Sequence, residues 1–465
     1  MVKPRRILVA LTAVALLAAA GCSRSGSSGE ESSATGGNSG GSSSSSSVSA
    51  DFGDLKGLCH SGKASSAPAQ GVTAGEIKVG VFTDMGFTKN PELADAAKVF
   101  TSWCNDNGGI NGRKITYNMR DAKLMEVRQR MLESCRDDFA LVGGSAALDG
   151  LGVKDRLSCL LPDFPAQVDQ IANAGADLQV GGGVTAGGRY DPYTGFHQWL
   201  FKDAYPASAS AIGLINGDSP VTKVMGTAYE EALPQQGATI VYDDLYPAAG
   251  VSDWTPYAQS IKTKGVKGLI FLGDFNSLAK LEDVLTGMDY KLDWIDTNSN
   301  AYNSQFIKLA GNSLAVQHNY ADISGTAPLE SNLPAMKQLK DLFAKYAPGE
   351  DMTYPAVRAF GQWLLFAKSA ASCGDQLTRK CLLDAGKGET AWTAGGLEAP
   401  TNMGDPNFIQ KCFNAEQAGP QGWSTPDFKP DNGPYRCNVD PYVYKTPGGK
   451  PLTLADVGKS LGDLK

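Results

Sequence analysis

Residues 76–82 read EIKVGVF, and residues 91–107 read PELADAAKVFTSWCNDN. The first stretch alternates apolar and polar side chains and then becomes continuously apolar, which predicts a strand that enters a core. The second stretch starts with a cap and a first-turn proline, Asn90-Pro91. Its apolar side chains share one helical face: Leu93, Ala96, Ala97, Phe100 and Cys104. A strand followed by an amphipathic helix is the basic unit of an α/β fold.

The same alternation continues along the chain and then begins again. In the first series we predict strands and helices in turn, at 114–119, 124–135, 139–143, 147–157 and 159–161. A second series starts at 211–215 and continues through 221–235, 239–242, 256–264, 268–272, 277–288, 294–296 and 303–309. Helices are also predicted at 333–346 and 354–372. The helix at 354–372 is strongly apolar and must be buried, and we expect it to pack in the core formed by the first series.

Two βα series in one chain predict an α/β protein with two Rossmann-like lobes joined by a hinge. Ligands of open α/β sheets bind at the carboxyl ends of the strands, so two facing edges form an interlobe cleft that closes by hinge motion. We assign the chain as follows: 51–205 to the first part of lobe 1, 206–322 to the main part of lobe 2, 323–415 to returning segments that complete both lobes, and 416–465 to a surface-wrapping extension with a short helix near 454–461.

The N-terminus has the features of an export signal. Lys3, Arg5 and Arg6 precede an apolar run that is too short to span a bilayer, so residues 1–21 predict a signal peptide. The ending Gly21-Cys22 resembles a lipoprotein signal, in which Cys22 becomes lipidated. Cleavage after Ala20, which releases a soluble protein, is the alternative. Residues 22–50 then form a disordered Ser/Gly tether with an r.m.s. span of roughly 30 Å.

The cysteine count agrees with export. Of nine cysteines, Cys22 is the lipid candidate, and the other eight are even in number, as for disulfides outside the cytosol. Two short loops, Cys373–Cys381 and Cys412–Cys437, are the local candidates. The other four cysteines are then expected to pair among themselves in an order that the sequence leaves open: Cys59, Cys104, Cys135 and Cys159.

Several function classes are disfavoured. A net charge of −7 opposes nucleic-acid binding, and three scattered histidines give no metal spacing, so we expect no metal and no cofactor. Ser145 lies in GGSAA, close to a hydrolase nucleophile elbow, but the last glycine is replaced by Ala147 and only His197 and His318 follow. A polar ligand seat at a helix N-terminus is the favoured interpretation of Ser145.

Several motifs then point to one family. GVTAGEIKVG at 71–80 and NGGINGRKI at 107–115 resemble the opening strand and first turn of the solute-binding proteins of branched-chain amino-acid-type ABC importers. The resemblance continues through GLIFLG at 268–273 and the helix near Phe360, and covers roughly 71–415. It implies a type I periplasmic-binding fold, with two lobes, three hinge crossovers and a ligand held between them.

The resemblance also places the ligand site. In the amino-acid binders of this family, polar groups after the third and fourth strands hold the ligand, which here implies Ser145, Phe164, Ala166 and Gln167. The family's aromatic residue of the second lobe corresponds to Phe275, and its ammonium-binding glutamate falls near Asn298. A neutral amide does not compensate a buried ammonium, although Asp274 is close enough in sequence to substitute. Phe360 is either a wall of the cleft or helix core.

The leading hypothesis is a monomeric, lipid-anchored receptor at the outer face of the cell membrane. It binds a small solute (an amino acid or a related carboxylate, amide or aromatic compound) and delivers it to an ABC permease. Two alternatives remain: a ligand-sensing lipoprotein that signals to a membrane partner, and a secreted serine hydrolase built on Ser145.

Overall fold

The computed structural model describes residues 50–181, 183–184, 188–247, 249–405, 408–445 and 449–464, with backbone only for 183–184. The chain from Val48 onward forms a compact unit. The predicted signal peptide, Cys22 and the tether before residue 50 lie outside the described residues. No helix in the described ranges is long and apolar enough to cross a membrane.

The first lobe is a parallel sheet covered by helices, as its alternating pattern predicts. Its elements run in chain order β1 (Glu76–Thr83), α1 (Met85–Thr88), α2 (Glu92–Asp106), β2 (Lys114–Asp121), α3 (Val127–Asp137), β3 (Leu141–Val142), α4 (Val153–Ser158), β4 (Asp163–Phe164), β5 (Gln167–Val168) and β6 (Gly183–Val184). The sheet order is β2-β1-β3-β4, and β5 and β6 form a separate parallel ladder. The carboxyl ends of β1, β3 and β4 therefore lie at one edge.

The second lobe is built in the same way around a larger sheet. Its elements run α5 (Thr194–Gln198), β7 (Ile212–Asp218), α6 (Pro220–Gln235), β8 (Ile240–Pro247), α7 (Thr255–Lys264), β9 (Gly268–Leu272), α8 (Phe275–Gly287), β10 (Trp294–Asp296), α9 (Ser304–Ala310), β11 (Asn319–Ala321), β12 (Glu416–Gly419) and β13 (Gly422–Ser424). The order is β13-β12-β11-β10-β9-β7-β8, with β12 and β13 antiparallel to their neighbours. Residues 416–424, which we assigned to the C-terminal extension, thus extend this sheet.

Three helices return to the first lobe: α10 (Pro334–Tyr346), α11 (Tyr354–Ser372) and α12 (Arg379–Lys387). The apolar helix α11 lies in the first core, which confirms its predicted place. Its Phe360 and Trp363 rings pack on Phe100 of α2, with both pairs of ring centroids 5.4 Å apart. The first lobe is therefore completed by sequence that follows the second.

Within the described chain, three connections join the lobes: β6 to α5, β11 to α10, and α12 to β12. The second and third run antiparallel beside each other. The Ala327 N–H donates to the Leu397 carbonyl at 2.7 Å, and the Ala399 N–H donates to the Gly325 carbonyl at 2.7 Å. This paired arrangement is the expected hinge.

The C-terminal extension contacts both lobes. Phe428 is buried in the core around β7, and the Tyr442 hydroxyl donates to Glu231 of α6 at 3.0 Å. Farther along, Leu454 and Leu464 are buried in the core of the first lobe. In place of the single helix expected near 454–461 there are two 3-10 turns, Leu454–Val457 and Leu461–Asp463. Gly458, with φ 67°, ends the first turn in the left-handed region.

Four disulfides occur in the described residues. Cys373–Cys381 and Cys412–Cys437 close the two short loops named from the sequence, and the remaining pairs are Cys59–Cys104 and Cys135–Cys159. The structure thus supplies the connectivity of the N-terminal cysteines, which spacing alone left open.

One element is displaced from its predicted place. Residues 159–161, expected as a strand, form the turn after α4, and the strand β4 starts at Asp163. Leu160 has a positive φ of 57°, which ends the helix and turns the chain. The chain rejoins the sheet only where the Leu141 N–H donates to the Pro162 carbonyl at 2.9 Å. The predicted helix 147–157 likewise begins as a 3-10 turn, Asp149–Gly152, before α4.

Candidate functional site

The edge of the first lobe brings two of the predicted site residues together. Ser145 follows β3, and its hydroxyl donates to the Asp169 carboxylate at 2.9 Å. The Gln167 amide donates to the other oxygen of the same carboxylate at 2.7 Å. Asp169, which the sequence analysis did not single out, is therefore the residue that holds Ser145 and Gln167 in place.

The loop that carries Ser145 is shaped by close packing against α11. Gly143 has φ 63°, and a Cβ there would lie 2.5 Å from the indole nitrogen of Trp363. Only glycine fits both the backbone conformation and the contact. The Ser145 N–H donates to the Phe82 carbonyl at the end of β1 at 3.0 Å. These constraints place Ser145 at the carboxyl edge of the sheet.

A small pocket adjoins this edge. One wall is apolar and comes mainly from α3, β3 and α4; the other is polar, with Ser145, Asp149, Arg156, Asp163, Gln167 and Asn173. Asp149 accepts hydrogen bonds from the backbone N–H groups of Asp169 and Gln170 at 3.0 and 2.9 Å. Burial, reinforced by the nearby Asp169 charge, raises the pKa of Asp149 to about 7.

Three other residues proposed for the first-lobe site lie in its core instead. Phe164 and Phe360 are fully buried, and Ala166 is 2 % exposed. The Phe164 ring packs on Phe366 of α11, with centroids 5.9 Å apart. Phe360 lies among the aromatic rings of α2, so its interpretation as helix core is correct and a cleft wall is wrong. The expectation failed because an apolar residue after a strand has the same sequence signal whether it faces a ligand or a helix.

In the second lobe, the predicted site residues serve local structure. The Asp274 carboxylate caps α8 by accepting the Ser277 N–H at 2.9 Å, and Phe275 is the first residue of that helix. The Asn298 side chain donates to the carbonyls of Phe271 and Gly273 at 3.0 and 3.2 Å. Its amide thus ties the ends of β9 and β10 together, and its side-chain oxygen accepts the Asn300 N–H at 2.8 Å.

A buried polar cluster occupies the junction of the two lobes. His197 of α5 and Asp296 at the end of β10 are joined by a hydrogen bond of 2.8 Å. Burial, the largest single effect, lowers the pKa of His197, but the hydrogen bond to Asp296 and the charges of Asp296, Asp191 and Asp322 together outweigh it, so the pKa is raised. Asp322, at the end of β11, has its pKa raised to about 8, chiefly by burial and with Asp296 adding to the effect.

Arg358 of α11 faces this cluster from the side of the first lobe. It is 9 % exposed, and its Nη1 donates to the Tyr354 hydroxyl at 3.1 Å. Tyr193 and Glu398, which belong to the first and third connections, lie close enough to act on its pKa. Burial raises the pKa of Glu398 to about 7, against the opposing effect of Arg358. Side chains from both lobes and from the hinge therefore meet at one place.

In the described residues, the two histidines that follow Ser145 in sequence, His197 and His318, form hydrogen bonds with other groups. His197 is bonded to Asp296, and His318 lies 3.0 Å from the Asp293 carbonyl and 3.2 Å from the Tyr205 hydroxyl. The Ser145 hydroxyl is bonded to a carboxylate. Among the described residues no group of three or more His, Cys, Asp or Glu side chains is arranged to hold a metal ion.

Comparison with known proteins gives a family match. A family model described as "Periplasmic binding protein" matches residues 76–416. No curated protein matches the sequence.

Solved structures with a similar fold include three solute-binding proteins. A fatty acid ABC transporter substrate-binding protein from Thermomonospora curvata is 18% identical, with 82% of this chain and 95% of that chain covered and a TM-score of 0.63. A branched-chain amino acid transporter substrate binding protein from Streptococcus pneumoniae, in complex with isoleucine, is 16% identical (74% and 96% covered, TM-score 0.59). A branched chain amino acid ABC transporter from Thermus thermophilus, with bound valine, is 13% identical (80% and 98% covered, TM-score 0.63). At such identities the likeness shows the fold.

Proposed function

The chain belongs to the periplasmic binding protein family, and from this premise we propose that it is an extracytoplasmic receptor. It captures a small organic solute between its two lobes and delivers the solute to an ABC permease. One observation carries the proposal: polar side chains from α11 and from the connections between the lobes converge at the lobe junction. A solute bound there contacts both lobes, and its binding is linked to their closure.

The proposed location follows from the N-terminal sequence. A lipid on Cys22 and the flexible tether after it hold the receptor at the outer face of the cell membrane while leaving the lobes free to meet a permease. The four disulfides fit an oxidising compartment outside the cytosol. We propose that the receptor acts as a monomer.

The proposed solute is an amino acid or a related carboxylate, amide or aromatic compound. The solved structures of similar fold are named for fatty acids or branched-chain amino acids. In this chain the amide of Asn298 is occupied by two backbone carbonyls. Because position 298 is an asparagine, it supplies no carboxylate to receive an ammonium group.

A thermal-shift screen of the purified protein at neutral pH tests this proposal. The panel holds amino acids, small carboxylates, their amides and aromatic acids. A solute at 100 times its dissociation constant adds about 2.7 kcal/mol to the stability of the folded protein, which is a readily measured shift. Mass spectrometry of the recovered solute separates a receptor from a hydrolase, since a receptor returns the compound chemically unchanged.

Two tyrosine variants locate the site. Tyr193→Ala removes a side chain at the lobe junction. Tyr290→Ala makes the same truncation in the second lobe at the opposite end of the strands, where the Tyr290 hydroxyl donates to the Val266 carbonyl just before β9. We expect the first variant to lose most of the solute-dependent shift and the second to keep it. A panel that leaves the wild-type melting temperature unchanged throughout, or a solute that is cleaved, contradicts the proposal.

A further inference from the structure

Helix α11 carries a polar stripe in an otherwise apolar environment. Tyr354, Arg358 and Gln362 are spaced four residues apart, so they lie on one face of the helix. Their exposed fractions are 3, 9 and 4 %. A helix that is buried on nearly all sides has no solvent-facing side for such residues, so this stripe needs a polar partner within the protein or a ligand.

The guanidinium of Arg358 is incompletely partnered. Among the described residues, the guanidinium donates one hydrogen bond, to the Tyr354 hydroxyl. No carboxylate of the described residues forms an ion pair with the guanidinium. The buried arginines of this chain are otherwise well supplied: Arg113 donates to several backbone carbonyls and pairs with Asp375, and Arg120 pairs with Asp138. A nearly buried cation with no carboxylate in direct contact is incompletely compensated, and this is costly.

The groups around Arg358 come from every segment that joins the lobes. Tyr193 belongs to the first connection, Asp322 begins the second, and Glu398 lies within the third. Glu398 lies against α11, since a Cβ on Gly361 would lie 2.7 Å from its Oε1. Glu398 therefore lies beside the stripe and acts on Arg358 through its charge, but no ion pair within 4.0 Å joins the two side chains.

We propose that Arg358 is the specificity-determining residue of the solute site and that it binds a carboxylate of the solute. This inference rests on the proposed function and names the class of solute. The planar fork of a guanidinium matches a carboxylate in a bidentate pair. The hydroxyls of Tyr354 and Tyr193 lie beside it to complete the contact. A doubly charged anion such as phosphate fits less well, because Asp322 and Glu398 are close and Arg358 is the one cation of this stripe.

Calorimetric titration of the purified protein with matched probes tests the inference. The pairs are valine and valinamide, octanoate and octanamide, and phenylacetate and phenylacetamide; each pair differs in its carboxylate alone. We expect binding by at least one acid and none by its amide. The affinity for that acid falls about 10- to 100-fold in Arg358→Met, as for the loss of hydrogen bonds to a charged group. Arg358→Lys, which keeps the charge but loses the fork, also weakens binding.

Arg136→Met is the matched control, because Arg136 is exposed on α3 of the same lobe and its removal also deletes one guanidinium. Circular dichroism of each variant without probe checks that it is folded. An amide that binds as tightly as its acid, or an acid that binds Arg358→Met with unchanged affinity, overturns the inference and leaves the proposed function standing. If no probe of either kind binds the wild-type protein, the inference is overturned too, and the wider thermal-shift panel then decides whether the proposed function stands.

Discussion

Glu282 of α8 is a buried carboxyl group whose protonation we expect to set the stability of the second lobe. Its side chain has no exposed surface. The Asn319 amide on β11 donates to its Oε2 at 2.9 Å. Glu282 Oε1 and Asn319 Oδ1 have no hydrogen-bond partner among the described residues. Both are acceptors, so one proton on the carboxyl group supplies the donor that this pair lacks.

The pKa of Glu282 agrees with this geometry, since burial raises it from 4.5 to about 8. The folded protein therefore binds a proton between these two pH values that the unfolded chain has released, and the free energy of unfolding falls as the pH rises through this window. Each unit of pKa difference corresponds to about 1.4 kcal/mol. Between pH 5 and pH 9 this one group thus removes about 4 kcal/mol of stability.

Glu282→Gln replaces the protonated acid by a neutral amide of the same shape, which donates to Asn319 at every pH. We expect the variant to match the wild-type protein near pH 5 and to exceed its free energy of unfolding by about 4 kcal/mol at pH 9. Urea unfolding followed by tryptophan fluorescence, at pH 5, 7 and 9, measures the difference. Because the variant and the wild type share every other titrating group, the contributions of those groups cancel in the difference between the two free energies of unfolding.

Asp54→Asn is the control, since it removes one carboxylate at an exposed position of the first lobe. We expect its curve to run parallel to that of the wild type. The reasoning is refuted if Glu282→Gln and wild type lose stability in parallel between pH 5 and 9, or if the variant is the less stable of the two at pH 9.

Three further changes have expected outcomes. Serine replacements that open Cys59–Cys104 should lower the free energy of unfolding in urea by about 4 kcal/mol, and those that open Cys373–Cys381 by about 2–3 kcal/mol. The difference is expected because the closed loops span 45 and 8 residues. Equal losses would contradict the loop-entropy argument. His197→Leu leaves the buried Asp296 without its ion-pair partner, so the free energy of unfolding in urea should fall by about 3–5 kcal/mol below pH 6.5. This loss should shrink as the pH rises through the raised pKa of His197. A loss that grows with pH would contradict the ion pair. Phe360→Ala should lower the free energy of unfolding by about 3–5 kcal/mol and leave the solute-dependent thermal shift unchanged, whereas loss of that shift would return Phe360 to the cleft.

The sequence predicts most of the long elements of this fold. Strand β9 and helix α11 have the predicted bounds, and α2 differs by one residue at each end. Helices α2 and α11, with 15 and 19 residues, repeat their apolar pattern over about four and five turns, and β9 is a continuous apolar run. The short strands β3, β4 and β5 have two residues each, which is too few for any period to show, so their positions depend on tertiary contacts.

The junction side chains could not be assigned from local pattern. Arg358 is the one charged residue between Tyr354 and Ala367 of an apolar helix, and this isolated charge was a signal that the sequence analysis did not use. Glu398 and Tyr193 gave no such signal. They become neighbours of Arg358 only when the connections between the lobes are brought together, and no sequence spacing encodes that proximity.

The site residues transferred from the family lie where the strands end, but their partners in this chain differ from one another, and the reason is physical. The edge at which a ligand binds is set by backbone topology, because parallel strands end together and the loops after them must face the cleft. Ser145 and Asn298 both lie at such edges, as the resemblance implied. What a side chain does there depends on its immediate partners: Ser145 is held by Asp169, while Asn298 is bound by two backbone carbonyls. A binding site in this fold is therefore better sought from buried polar groups whose hydrogen-bonding capacity is only partly used, such as the Arg358 guanidinium with its bond to Tyr354, than from positions aligned to a relative.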